Sequence, residues 1–246
     1  MCGRYAVTTD PVRLAAEIGA RNEVPDDDDP TPNYNIAPST TVLTVVDRHE
    51  ANDVHQPIDR RVRAMRWGLI PPWSTEPGSG PLLFNARAET AQTKPAFRAA
   101  AANKRCLFPM DGWYEWRTGP AGPDGRPVKT PFYMSARDGS RLYMAGLWGA
   151  WRSPQARAAG DDTAWISSAT MLTTEAVGPH RQIHDRMPLI MPVEHWADWL
   201  DPDRPADPAL LAPPDTVLAE AIDIREVSTL VNRVANNGPR LLEPIS

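Results

Sequence analysis

The chain has 246 residues, of which 41% are hydrophobic and 23% charged, a soluble globular composition with enough length to bury a real core. No apolar run reaches the length of a membrane span, and the N-terminus lacks the apolar segment of a secretory signal. Two cysteines, Cys2 and Cys106, exclude a disulfide framework or a four-cysteine metal site. A cytoplasmic protein with reduced thiols and no membrane attachment is therefore expected. The net charge of -5 argues at first against a polyanionic partner, yet residues 60–117 carry ten Lys/Arg against four Asp/Glu, a local balance of +6 that leaves -11 elsewhere. Fields act locally at physiological salt, so such a stretch can hold phosphates; on charge alone, a solvated arginine face is the better reading.

Twenty-seven prolines punctuate the chain and make long helices unexpected. A short helix is predicted after Asp10, an N-cap candidate followed by Pro11, with Leu14 and Ile18 on one face. Apolar or alternating runs predict strands at 42–46, 62–67, 105–110, 132–135, 141–148, 165–172 and 187–191, and a second helix is predicted over 193–200. Residues 22–32, 74–81, 118–130 and 153–162 read as loops, the third as a Gly/Pro hairpin connection. With no repeat and no dividing linker, the expectation is a single domain over 1–246. Its expected class is α+β, with a mainly antiparallel, strongly twisted, barrel-like sheet and peripheral helices.

Removal of Met1, which the small second residue permits, would expose Cys2 with a free α-amine beside its thiol. The reference pKa values are roughly 8 and roughly 8.5, so both reactive forms are accessible near neutral pH. The amine can condense with an aldehyde to an imine, and the thiol can close a thiazolidine ring in a step that is already intramolecular. Taken alone, a cysteine at position 2 is accidental more often than not. Arg66 and Trp67 precede a segment stiffened by Pro71 and Pro72, and Trp67 and Trp73 could offer faces to unstacked bases, although core packing is the commoner fate of tryptophan. In an extended segment, Asn85 and Arg87 point to one face, one suited to orient a reacting group and the other a phosphate. Glu115 stands among Trp113, Tyr114 and Trp116, surroundings that raise a carboxyl pKa toward neutrality; an exposed strand glutamate is about as good a reading. His184, beside Asp185 and Arg186, suits general acid/base work, with Arg186 a structural or phosphate-binding partner. His180 lies four residues before it, but Gly178 and Pro179 and the lack of a third ligand argue against zinc.

Read in order, Cys2-Gly3-Arg4-Tyr5, residues 35–39, Trp67-Gly68-Leu69-Ile70-Pro71, Asn85-Ala86-Arg87-Ala88-Glu89-Thr90, Arg105-Cys106-Leu107, Tyr114-Glu115-Trp116, Leu172-Thr173-Thr174 and His184-Asp185-Arg186-Met187-Pro188 resemble the SOS-response-associated peptidase (SRAP) family, and 227–239 resembles its closing segment. The resemblance implies a compact α+β domain acting in DNA repair. It would bind single-stranded DNA and trap abasic sites as a covalent thiazolidine through Cys2 after Met1 removal, with associated lyase, crosslink-reversal and peptidase chemistry. Carried onto this chain, Cys2 is the nucleophile, Asn85 positions its amine and the sugar, and Glu115 and His184 are acid/base groups. Arg4, Arg87 and Arg186 would hold phosphates, and Pro38, Trp67 and Thr173 would shape the strand path or stack on bases. The implied chemistry needs no metal and no cofactor. The implied partner is single-stranded DNA containing abasic sites, met by a monomer in the cytoplasm, or at the nucleoid in a bacterium. The acidic segment 26–29 and residues 154–161 look longer than the family minimum, and Tyr5 stands where phenylalanine is frequent.

Two other readings compete with the covalent trap. A cysteine peptidase, self-processing in one variant, would use Cys2 with His184 as its base, but leaves the local basic excess unexplained. A passive single-strand-binding module would not need all four of Cys2, Asn85, Glu115 and His184.

Overall fold

Antiparallel pairing between chain-adjacent segments builds most of the molecule, and the ends of a few strands bring distant motifs together. The computed structural model describes residues 2–50, 53–123, 125–161 and 163–245. In chain order the strands are β1 (Arg4–Val7), β2 (Arg21–Asn22), β3 (Asn33–Ile36), β4 (Thr41–His49), β5 (Ile58–Trp67), β6 (Asn85–Arg87), β7 (Arg105–Met110), β8 (Gly112–Ala121), β9 (Pro127–Ala136), β10 (Leu142–Trp151), β11 (Ile166–Glu175), β12 (Arg186–Pro188) and β13 (Ile222–Glu226). The α-helices among the described residues are α1 (Pro11–Glu17), α2 (Ala88–Ala91), α3 (Arg98–Asn103), α4 (Pro154–Ala158), α5 (Trp196–Leu200) and α6 (Thr216–Glu220). None is long and apolar enough to cross a membrane.

One sheet has the order β13-β9-β8-β1-β3; the other runs β12-β11-β10-β7-β4-β5-β2, with β6 added alongside β11. In the second sheet, β5 also pairs in parallel with β11, Arg66 beside Ser168 and Trp67 beside Ala169. That pairing closes β5, β4, β7, β10 and β11 into a ring. The expected α+β class and mainly antiparallel sheet are both observed, the barrel-like feature taking the form of this ring with a second sheet beside it. Sheet strands bury alternate residues, and the largest fully buried side chains include Trp67, Trp113, Tyr5, Tyr114 and Phe108.

Local chemistry fixes the element ends. Asp10 caps α1 by accepting the Arg13 amide at 2.8 Å, and Pro11 takes the first turn, where no amide is required. Gly112 opens β8 where a Cβ would lie 2.3 Å from the Met134 carbonyl, so β8 approaches β9 only because no side chain intervenes.

Three expectations need correction. The 118–130 loop is largely sheet: β8 runs to Ala121 and β9 starts at Pro127, with a register irregularity between Thr118 and Ala121 that absorbs Gly119 and Pro120. The 153–162 loop contains α4, capped by Ser153 accepting from the Ala156 amide at 3.0 Å. The helix predicted over 193–200 begins as a 3-10 turn at Val193–His195 and becomes α-helical only in α5.

Candidate nucleic-acid interface

The start of the chain is held between the two sheets. In the first, β1 pairs with β8 so that Arg4 faces Tyr114 and Tyr5 faces Trp113; continuing that register sets Gly3 opposite Glu115 and Cys2 opposite Trp116. In the second, β6 lies parallel to β11, with Asn85 beside Met171 and Arg87 beside Thr173. From there the Asn85 side-chain amide donates to the Cys2 carbonyl at 2.6 Å. Its own carbonyl oxygen, Oδ1, is buried with no hydrogen-bond partner among the described residues, an acceptor whose desolvation is uncompensated.

Cys2 is 0% exposed; the exposure expected of it belongs to the chain after Met1 removal. Met1 itself, and so its removal, lies outside the described residues. Burial and then the Glu115 charge push the Cys2 thiol well above its ordinary pKa, against the opposing pull of the N-terminal charge and of a contact to the Arg4 carbonyl. A thiol in that setting stays protonated at neutral pH. Glu115 is 3% exposed, and burial among the aromatics pushes its pKa up to about 7, with the N-terminal charge the largest opposing influence. This is the shift expected from its sequence neighbours.

His184 is partly exposed and sits just after a 3-10 turn, Gly178–Gln182. Its Nδ1 lies 2.9 Å from the Arg186 amide and 2.8 Å from Asp185 Oδ1, two partners that demand opposite protonation of one nitrogen. Burial, and then the N-terminal charge, lower the His184 pKa despite Asp185. The neutral ring therefore prevails: Nδ1 accepts the amide and Nε2 carries the proton. His180 faces elsewhere, stacked on Trp113 at 5.7 Å with Nε2 at 3.2 Å from the Ala219 carbonyl. Among the described residues no group of three His, Cys, Asp or Glu is placed to hold a metal ion.

Glu115 and His184 share a cleft of ≈330 Å³ with Trp116, Thr118, Lys129 and Asn232. An adjoining cleft of ≈460 Å³ is lined by Arg87, Glu175, Ala176, Arg181, Asp185 and Arg186. Arg87 is exposed at its edge. Arg186, read from the sequence as a structural or phosphate-binding partner of His184, is clamped by both Glu89 oxygens at 2.6 and 3.0 Å and by the Thr173 carbonyl at 2.5 Å. Arg4 donates to Asn35 Oδ1 at 2.7 Å and to the Val231 carbonyl at 2.8 Å, and lies 6.0 Å from the Trp116 ring centre. Pro38 is half-buried and Thr173 buried.

Trp67 corrects the stacking expectation outright. It is 0% exposed, packs edge-on against Tyr5 at 5.1 Å and Phe84 at 5.9 Å, and donates Nε1 to the Phe84 carbonyl at 2.8 Å. No face remains for a base, and the ring instead props β1 and β6 from beneath. Gly68 next to it has φ +129°, and a Cβ there would meet Arg66 Nη1 at 2.7 Å and Leu82 Cδ1 at 2.8 Å. Only glycine makes that turn out of the ring.

Sequence reasoning missed Lys129, Thr118, Asn232 and Arg181. Lys129 pairs with Thr118 across β8 and β9, so assigning 118–130 to a loop hid both. Asn232, whose Oδ1 accepts from Trp116 Nε1 at 2.7 Å, lies within the closing segment 227–239 and could have been found there.

The model of the SOS response associated peptidase (SRAP) family matches residues 1–234. The chain belongs to that family. The relatives include the abasic site processing protein YoqW of Bacillus subtilis, 33% identical and covering 99% of both chains, and YedK of Escherichia coli, 31% identical over 100% of both. The abasic site processing protein HMCES of Xenopus tropicalis is 31% identical, covering 100% of this SRAP chain and 78% of its own. A crystal structure of a Bacteroides thetaiotaomicron protein superimposes with a TM-score of 0.79 over 100% of both chains at 23% identity. That of a phage-related protein from Bordetella bronchiseptica gives 0.62 at 30% identity, covering 92% of this chain and 94% of the other.

Proposed function

We propose that this SRAP protein processes abasic sites in DNA by binding them in single strands and forming a thiazolidine crosslink through Cys2 once Met1 has been removed. The observation that carries the reading is the grip on Cys2: Asn85 holds its carbonyl at 2.6 Å, while a carboxyl with a pKa of about 7 stands beside it. A group poised at neutral pH is half protonated there and can both donate and accept a proton.

The sequence of steps follows from that pairing. The Cys2 amine adds to C1′ of the ring-opened deoxyribose, whose carbonyl oxygen takes up a proton. The resulting carbinolamine loses its hydroxyl as water, with the proton supplied by Glu115, and an imine remains. The Cys2 thiol then adds to the imine carbon while the thiol proton passes to nitrogen, closing the five-membered ring. One water leaves in all. The unsatisfied Asn85 Oδ1 supplies an acceptor for the amine or for a sugar hydroxyl. His184, with Nε2 protonated, faces the same cleft as Glu115 and serves as the second acid/base group near the sugar and its 3′ phosphate. Arg87 offers an exposed guanidinium to the phosphates, while Arg4 and Arg186, each tied to protein acceptors, order the walls and can meet phosphates at their edges. Pro38 and Thr173 shape the strand path. Crosslink reversal is the same route run backwards with water. Lyase activity would divert the imine to β-elimination at the sugar.

The peptidase reading draws less support, because it leaves the basic excess of residues 60–117 unexplained. Denaturing electrophoresis with a labelled oligonucleotide carrying one abasic site tests the proposal. Wild type should retain the label, and Cys2→Ala and Cys2→Ser should release it. Retention of label by Cys2→Ala would overturn the assignment.

A further inference from the structure

The loop 176–185 joins β11 to β12 and carries Arg181, His184 and Asp185 to the two clefts. Its neck is closed by the Ala176 amide, which donates to the Asp185 carbonyl at 2.9 Å, and by Arg181 Nε, which donates to the Ala176 carbonyl at 2.7 Å. Within the loop, the 3-10 turn Gly178–Gln182 buries one side chain, that of His180. Val177 and Ile183 flank the turn and pack half-buried against the core.

The His180 ring meets two other elements. It stacks on Trp113 with ring centres 5.7 Å apart and planes 25° apart, and its Nε2 lies 3.2 Å from the Ala219 carbonyl in α6. Trp113 precedes Glu115 by two residues on β8 and so shares its face of the sheet. On the loop side, the His180 carbonyl accepts the His184 amide at 3.1 Å. One residue therefore connects the strand of Glu115 to the backbone of His184.

Packing alone does not call for a histidine here. Burial lowers the His180 pKa against the pull of the Ala219 bond, so the ring is neutral at pH 7, with Nε2 as the donor to Ala219 and Nδ1 as an acceptor. Nδ1 is buried with no hydrogen-bond partner among the described residues, and an orphaned acceptor is destabilising. Leucine would fill the place without that penalty. What leucine would lack is the bond to Ala219, a directional contact that fixes the turn against α6, where apolar packing tolerates sliding.

We propose that His180 is a positioning residue for His184: its bond to Ala219 and its stack on Trp113 fix the turn that presents the His184 ring in the cleft shared with Glu115. The role rests on the proposed function, in which those two groups do the acid/base work.

Two variants of the full chain test it, His180→Leu keeping the packing without the donor and His180→Gln restoring a donor. The first readout is the NMR titration of the His184 ring. Burial and then the N-terminal charge lower its pKa, Lys129 acts in the same direction, and Asp185 and the Arg186 amide oppose them. A turn released from Ala219 exposes the ring, so in His180→Leu the His184 pKa should rise toward its ordinary 6.5, while His180→Gln should hold it down. Single-turnover crosslinking at saturating abasic DNA should slow by about 10–100-fold in His180→Leu and recover in His180→Gln. Tm should hold or rise in His180→Leu, because the orphaned acceptor is gone. An unchanged His184 titration in His180→Leu, with or without a lower Tm, is the pattern of mere packing and would overturn the proposal. A shifted titration with an unchanged rate would uphold the positioning and refute the acid/base role of His184; the crosslink itself is judged separately by Cys2→Ala.

Discussion

Replacing Glu115 by glutamine should stabilise the protein, and by an amount that depends on pH. In the folded chain the carboxyl titrates at about 7, against 4.5 for the unperturbed group, because burial disfavours its charged form. A raised folded pKa means that the folded state binds more protons than the unfolded one between those values. Stability from this group is therefore fully present below pH 4.5 and is lost as pH rises through 7. The separation of the two values corresponds to about 3 kcal/mol. Glutamine fills the same space without titrating, so the stability difference between Glu115→Gln and wild type should widen by about 3 kcal/mol from pH 4.5 to pH 8. For a chain of this size that amounts to a relative gain in Tm of roughly 6–12 °C. Urea or thermal unfolding at closely spaced pH values measures it directly. The same variant should crosslink abasic DNA more slowly, since it cannot pass a proton to the leaving water. A stability difference that stays constant across that pH range would refute the account of Glu115 as a buried group titrating near neutrality.

Asn85→Ala removes the 2.6 Å donor to the Cys2 carbonyl and should slow single-turnover crosslinking by about 10–100-fold, the penalty of a misplaced reacting group; an unchanged rate would remove Asn85 from the positioning role. Arg87→Ala alters an exposed side chain, so Tm should hold while the salt slope for undamaged single-stranded DNA falls by about 0.7, read by fluorescence anisotropy. Trp67→Ala empties a fully buried site and should cost about 3–5 kcal/mol in equilibrium unfolding. A small stability loss with a large loss of DNA affinity would instead return Trp67 to the stacking role.

Legibility in the sequence followed the locality of each signal. β7 matched its predicted 105–110 span because a continuous apolar run needs no partner to be recognised, and α1 was announced by Asp10 and Pro11. β8 and β9 were lost in part because Gly119 and Pro120 signal a turn, while a register irregularity accommodates them within sheet. Helix α4 carried its cap, Ser153 followed by Pro154, inside a segment whose composition read as loop. At the site, Glu115 among its aromatic neighbours gave a correct expectation of a raised pKa from four adjacent residues. The engagement of Arg186 by Glu89, 97 residues away, had no local trace, and neither did the burial of Trp67 beneath Tyr5 and Phe84. Both rest on contacts between segments far apart in the chain.

Intact mass spectrometry of the protein, before and after reaction with an oligonucleotide carrying a single abasic site, tests the central claim most directly. The account predicts a starting mass without methionine and an adduct equal to protein plus strand minus one water, absent in Cys2→Ala. A methionine-free protein that gains no mass, or an adduct that persists in Cys2→Ala, would contradict it.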